Sequence, residues 1–116
     1  RKTVIEGPSF VAVFDVAHNV DSAYELRKFV QKKFPDSPVN LICALQKAKD
    51  LDGFMRAFEG SHLTLVQLGE GFHDIYGETQ AIPMPESITE LFHNDKINVV
   101  CGSFQLVGPS LRSIQM

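Results

Sequence analysis

The sequence predicts an α/β protein of three layers, a mostly parallel sheet with helices on both faces, in one domain over residues 1–116. Three observations carry that expectation. Short apolar runs recur at residues 10–15, 40–45, 62–68 and 97–101. Each precedes a stretch whose apolar residues return every three or four positions, as on one face of a helix. The links are short, and alternating strands and helices with short links favour parallel pairing.

In chain order, Thr3-Val4-Ile5 is a brief strand closed by the turn-forming Gly7-Pro8, and it is expected as an antiparallel edge. Phe10 to Asp15 is a continuous apolar run, suited to a strand covered on both faces. Asn19 is a good N-cap, and Ala23, Leu26, Val30 and Phe34 follow at helical spacing until Pro35 stops them. Asn40 to Leu45 is the next buried strand. Asp50 then caps a helix carrying Leu51, Phe54, Met55 and Phe58, with Gly60 as its stop. His62 to Leu68 alternates more and reads as a strand nearer an edge. Gly69 to Glu78 has no periodicity and is expected to be irregular. Ser87 and Glu90 form a capping-box pattern opening a short helix with Ile88, Leu91 and Phe92. Ile97 to Cys101 is the last strand, and Phe104, Val107, Leu111 and Ile114 mark a final helix that Gly108-Pro109 should kink or restart.

Length and composition, 116 residues with 44% hydrophobic and 22% charged, fit one ordinary globular domain. A net charge of −3 argues against the basic surface that duplex nucleic acid normally needs. No apolar run approaches the roughly 20 residues that span a bilayer, and there is no signal-peptide layout, so a cytoplasmic protein without membrane partners is expected. Cys43 and Cys101 each sit inside an apolar run, which suggests buried free thiols rather than a disulfide or a metal pair. The chain opens on Arg1 in a strand-like pattern, which suggests a piece of a longer protein.

The chemistry gathers where strands end and helices begin, the edge at which α/β sheets hold ligands. Asp15 closes a buried strand; it serves either as a turn cap or as a carboxylate for a ribose hydroxyl or a cation. His18 stands just before a helix start, either as a surface loop residue or as an imidazole beside exposed amides that suits an anionic ligand. Asn19 is most simply the cap. Gly102-Ser103 repeats the arrangement at the last strand, with Ser103 as a cap or as a hydroxyl facing the same cleft. His62, His73 and His93 have no metal-ligand spacing, so no metal site is expected. His73-Asp74 lies in the Gly-rich stretch, either as mobile surface or as a proton-handling pair. No P-loop, nucleophile elbow or Cys-x-x-Cys is present. The residues alone amount to half a site.

Phe14-Asp15-Val16-Ala17-His18-Asn19, together with Cys101-Gly102-Ser103-Phe104, resembles the C-terminal domain of folylpolyglutamate synthases, including bifunctional dihydrofolate synthases, within the Mur ligase family. The family pattern runs from a strand into Asp-x-Ala-His-Asn, with a later Val-x-x-Gly-Ser and a closing helix. Arg1-Lys2-Thr3-Val4 fits the family's Arg-x-x-Val, and Lys47-Ala48-Lys49-Asp50 partly matches its Lys-Asp-Lys-Asp stretch. Val16 and Val20 stand where many relatives have Gly and Pro, and Gly77 to Ala81 lacks an Arg common there.

The resemblance implies a Rossmann-like fold and an ATP-dependent ligase of folate metabolism. Such an enzyme activates a folate or dihydropteroate carboxylate as an acyl phosphate, which the amino group of L-glutamate attacks. It implies ATP and Mg2+ held mainly by a preceding N-terminal ATPase domain of the same protein, over which this domain closes. Arg1 and Asp15 would contact the nucleotide. His18 is the catalytic candidate, and with Asn19 and Ser103 it would bind substrate. The fragment alone would be inactive. Two rival readings are a Mur-type ligase for another amino acid and a non-enzymatic Rossmann-like module binding a small anion or a partner protein.

Overall fold

A computed structural model describes residues 2–115. Its strands are β1 (Thr3–Glu6), β2 (Val11–Asp15), β3 (Val39–Ala44), β4 (His62–Gln67), β5 (Ile75–Tyr76), β6 (Thr79–Gln80), β7 (Ile82–Pro83) and β8 (Ile97–Gly102). Its helices are α1 (Val20–Lys33), α2 (Leu51–Arg56) and α3 (Phe104–Gln115), with a 3-10 turn at Ile88–Leu91. Six strands form one sheet in the order β1-β2-β8-β3-β4-β7. Within that sheet, among the described residues, only β1 pairs antiparallel.

The three-layer α/β architecture follows from the pleat, because successive side chains point to opposite faces. Val13, Leu41, Cys43, Leu65, Val99 and Cys101 pack with Ala23, Leu26 and Val30 of α1 and with Leu51, Phe54 and Met55 of α2. Their neighbours Ala12, Phe14, Ile42, Ala44, Val66 and Val100 pack on the other face with Leu106 and Val107 of α3, Ile88 of the 3-10 turn, and Phe72. Burial on both faces is why these strands read as continuous apolar runs. Both cysteines are buried and free.

The departures from the expected elements have local causes. Strand β4 is followed by no α-helix. The stretch expected to be irregular folds into a β5–β6 hairpin, in which Ile75 faces Gln80 and Tyr76 faces Thr79. Its two-residue loop has Gly77 at φ +59, the first-position glycine of a type II′ turn. The capping-box segment forms one 3-10 turn, with the Ser87 N–H donating to Glu90 Oε2 at 3.1 Å. Helix α2 ends at Arg56 rather than Phe58, because the amides of Ala57, Phe58 and Glu59 each bond three residues back. Helix α3 runs unbroken through Pro109. Proline's missing N–H leaves the Gln105 carbonyl without its helical donor, and Gln105 is exposed to water.

At the amino-terminal edge of the sheet a polar network sits inside the core. Asn40 and Asn98 are fully buried. Asn98 Oδ1 accepts from Asn40 Nδ2 at 2.9 Å and from the His93 N–H at 2.8 Å, while its Nδ2 donates to the carbonyls of Val11 and His93. Asn40 Nδ2 also donates to the Leu91 carbonyl, and His62 Nδ1 lies 2.9 Å from Asn40 Oδ1. The His62 and His93 rings are 4.7 Å apart between centroids. The network ties β2, β3, β4, β8 and the segment after the 3-10 turn together.

Asn98→Leu should therefore destabilise the chain by about 2–4 kcal/mol, since it strips partners from three part-buried backbone groups and from the buried Asn40; the shift in urea unfolding midpoint measures it. A pH effect follows from His62, whose pKa lies below the ordinary 6.5 through burial first, then the nearby His93 and Lys96. The unfolded chain binds this proton more readily, so stability holds above pH 6.5 and falls as pH drops through the folded value. Thermal melts of His62→Gln between pH 7.5 and 5 should show a flatter acid slope than the parent.

Candidate functional site

The connections leaving the strands decide where a crevice opens. The helix after β2 and the helix after β3 lie on one face, and the helix after β8 lies on the other. Because β8 sits between β2 and β3, their carboxyl ends part at a topological switch point. A cavity of about 410 Å³ opens there, lined by Val16, His18, Leu45, Gln46, Lys49, Gly102, Ser103, Phe104 and Gln105. A larger hollow of about 650 Å³ lies at the opposite edge, around Gly7, Phe10, Pro38 and Asp95. The smaller cavity is the better candidate, because helix amino ends converge only on the carboxyl edge.

Each lining residue is held by local chemistry. Gly102 has φ +108, and a Cβ there would collide with the Ala44 carbonyl of β3. Only glycine lets β8 end flush against β3 and turn at once into α3. Ser103 then caps α3: its Oγ accepts from the Gln105 N–H at 3.1 Å, and its carbonyl accepts from Leu106 and Val107. The Phe104 ring lies over Gly108, where a Cβ would press on it, and remains 66% exposed at the cavity's lip.

On the β2 side, Asn19 caps α1 as expected, its Oδ1 accepting from the Ser22 N–H at 2.8 Å while Ser22 Oγ accepts from the Asn19 N–H. Its side-chain oxygen is thus engaged in the cap. His18 is exposed, and its Nδ1 lies 3.0 Å from the Val16 carbonyl. A carbonyl can only accept, so Nδ1 carries the proton and Nε2 is the open nitrogen.

His18 and Ser103 both line that cavity, whereas Asp15 does not. By strand alternation it faces the α1 side with Val13, while Phe14 faces the α3 side. Asp15 lines a neighbouring recess of about 260 Å³ with Lys2, Val16, Ala17, His18, Asn19, Ser22 and Glu25. It is 5% exposed, and its Oδ2 lies 3.7 Å from Lys2 Nζ. The two recesses share Val16 and His18. Arg1 lies outside the described residues.

Sequence reasoning passed over Lys49, Gln46, Phe104 and Gln105 as lining residues. Lys47-Ala48-Lys49-Asp50 does follow a strand's carboxyl end and precede a helix cap, the same topological position as His18 and Ser103, and that was the available signal. Among the described residues Lys49 is the only lysine or arginine on the cavity wall. Among the described residues no carboxylate pairs with it, and no group of three His, Cys, Asp or Glu side chains could hold a metal. Cys101, just below Gly102, has its thiol pKa pushed well up by burial first, then by Cys43 and Asp15. It stays protonated at neutral pH and is no nucleophile.

The family model for dihydrofolate synthetase, C-terminal domain, matches residues 3–71. No curated protein matches the chain in sequence. Among solved structures, a folylpolyglutamate synthase from Thermotoga maritima superposes over 98% of this chain with a TM-score of 0.79 at 17% identity. A bifunctional folylpolyglutamate synthase/dihydrofolate synthase with Mn, AMPPNP and L-glutamate bound does so over 98% at 0.74 and 16% identity. E. coli FolC in complex with DHPP and ADP does so over 96% at 0.68 and 18% identity. The chain spans 30%, 31% and 30% of those three proteins respectively.

Gly102→Ala should cost at least about 2 kcal/mol or prevent folding, since both its φ and its clearance are lost. Ser103→Ala, which removes only a cap, should cost about 1 kcal/mol and leave the fold intact. Circular dichroism with urea titration separates the two outcomes.

Proposed function

The chain belongs to the dihydrofolate synthetase C-terminal domain family, and on that premise we propose that it is the closing domain of a longer ATP-dependent ligase. That enzyme would join L-glutamate to a folate or dihydropteroate carboxylate, in the cytoplasm. Two relatives in complex, one with AMPPNP, Mn and L-glutamate and one with DHPP and ADP, support this choice of substrates.

The observation that carries the reading is the pairing of two adjoining recesses that share His18 at one switch point. In this reading the Asp15–Lys2 recess takes the nucleotide, with Asp15 accepting from a ribose hydroxyl. The 410 Å³ cavity takes the acidic amino acid between His18, Ser103 and Lys49. Asn19 contributes through its cap, which fixes the first turn of α1 and aims its amides at the shared rim.

The electrostatics suit that division. Reactants and the developing intermediate are anionic, and the amino ends of α1 and α3 and the Lys49 ammonium border the space they would occupy. His18, anchored through Nδ1, presents Nε2 to accept a proton or, when charged, to donate one. In this reading the metal and the phosphate cradle belong to a preceding domain, Asp15 being set against Lys2 rather than toward a cation. The isolated chain should then neither bind magnesium nucleotide tightly nor hydrolyse it.

In the complete enzyme, Asp15→Ala should raise the KM for ATP about ten-fold with less change in the KM for glutamate. His18→Ala should lower kcat by at least about ten-fold. Steady-state kinetics on variants with parental circular dichroism is the test, and normal turnover in both would remove the assignment.

A further inference from the structure

We propose that His73 is a positioning residue for the cavity: it holds the Leu45–Asp50 turn so that Lys49 is set to receive a carboxylate of the acidic amino acid. The inference rests on reading the cavity as the amino-acid subsite, and it brings into the site a segment that lines no part of it.

The Leu45–Asp50 turn joins β3 to α2 and supplies Leu45, Gln46 and Lys49 to the cavity wall. It is braced from outside by residues 71–73. The Lys47 N–H donates to the Gly71 carbonyl at 2.8 Å, Gln46 and Phe72 form an antiparallel bridge, and the His73 N–H donates to the Leu45 carbonyl at 2.9 Å. Those contacts are made by backbone and tolerate other residues. The fourth is specific to the side chain: His73 Nε2 lies 3.0 Å from the Lys49 carbonyl oxygen. Because that oxygen can only accept, Nε2 must carry hydrogen, and the ring acts as a donor at that nitrogen. Among the described residues His73 and Asp74 form no ion pair, so the ring's partner is the turn rather than its neighbour in sequence.

The brace is itself fixed, because Phe72 is buried in the core cluster under α3. A rigid point in the core is thus connected through one imidazole to the backbone of Lys49. That matters because a lysine ammonium rides on a flexible four-carbon stem. Anchoring the backbone on both sides, at Leu45 and at Lys49, narrows the region the ammonium samples and lowers the ordering cost of ligand binding. The effect should appear in the affinity for the ligand's carboxylate and not in the chemical step.

The test is a double-mutant cycle in the complete enzyme, reading KM for L-glutamate, KM for ATP and kcat. Lys49→Met should raise the glutamate KM more than about ten-fold. His73→Leu should raise it about five-fold, with kcat and the ATP KM within about two-fold of the parent. The double variant should match Lys49→Met alone, because an uncharged residue 49 has nothing left to position. His73→Gln, whose amide N–H can reach the same carbonyl, should stay near the parent, whereas the shorter His73→Asn should resemble His73→Leu.

An unchanged glutamate KM in Lys49→Met, or a raised ATP KM in its place, would overturn the amino-acid subsite itself. A large Lys49→Met effect with additive or absent His73 effects would leave the subsite standing and overturn the positioning role. Should His73→Leu not fold, the Gln and Asn variants decide alone, and equal glutamate KM values for those two overturn it.

Discussion

Strand β8 lies between β2 and β3 with all six residues buried, hydrogen-bonded on both sides in parallel register from Val11↔Ile97 to Ala44↔Gly102. It arrives last in the chain and fills the gap left when the connection after β2 passes over to β3. Its two ends are fixed by different chemistry. At the amino end Asn98 bonds four groups from three segments, and at the carboxyl end Gly102 fits where no side chain can. A slip of one residue would turn Asn98 into apolar packing and push a Cβ into the Ala44 carbonyl. The same register that completes the core therefore sets where Ser103 emerges, and with it the cavity.

The division of the carboxyl edge into two recesses has a similarly local origin. Asp15 and His18 are three residues apart, yet the strand ends between them and α1 has not begun. Asp15 still obeys the pleat and tucks under α1 beside Lys2, whose ammonium also stands 5.8 Å from the Phe29 ring centroid. His18, past the strand, is oriented by its own turn through the Val16 carbonyl. Neighbours in sequence thus serve adjacent spaces, and the Val16–His18 segment is the wall between them. In the proposed function this lets one short segment touch both the nucleotide and its co-substrate without the two sharing a pocket.

How much of this the sequence disclosed depends on the range of the interactions involved. The buried strands, the antiparallel edge, Asn19 as cap and Ser103 before α3 rest on residues a few positions apart, and periodicity and cap chemistry suffice for those. The β5–β6 hairpin was also local, but its signal was a single Gly77-Glu78 pair between strands of two residues, too short for alternation to show. Asn40 and Asn98 read as polar interruptions of apolar runs, because their meaning lies in pairing with each other, 58 positions apart in the chain. Lys49 and His73 were hidden for the same reason. Each looked like a loop residue until the fold laid one loop against the other.

The cavity's rim adds a constraint on how such a site can work. Val16 and Phe104 expose apolar surface in the lining of a space that also carries an imidazole, an ammonium, a hydroxyl and two carboxamides. Facing open water, those groups interact weakly with a ligand's charge, since the solvent dielectric scales their Coulomb energy down several-fold relative to a protein interior. An apolar rim is an interruption in hydration that a second surface can complete, and covering it removes the solvent that weakens Lys49 and His18. In the proposed function, closure and chemistry would be coupled through desolvation. The Phe104 ring, packed against the space left by the missing side chain of Gly108, would form part of the surface that closure covers.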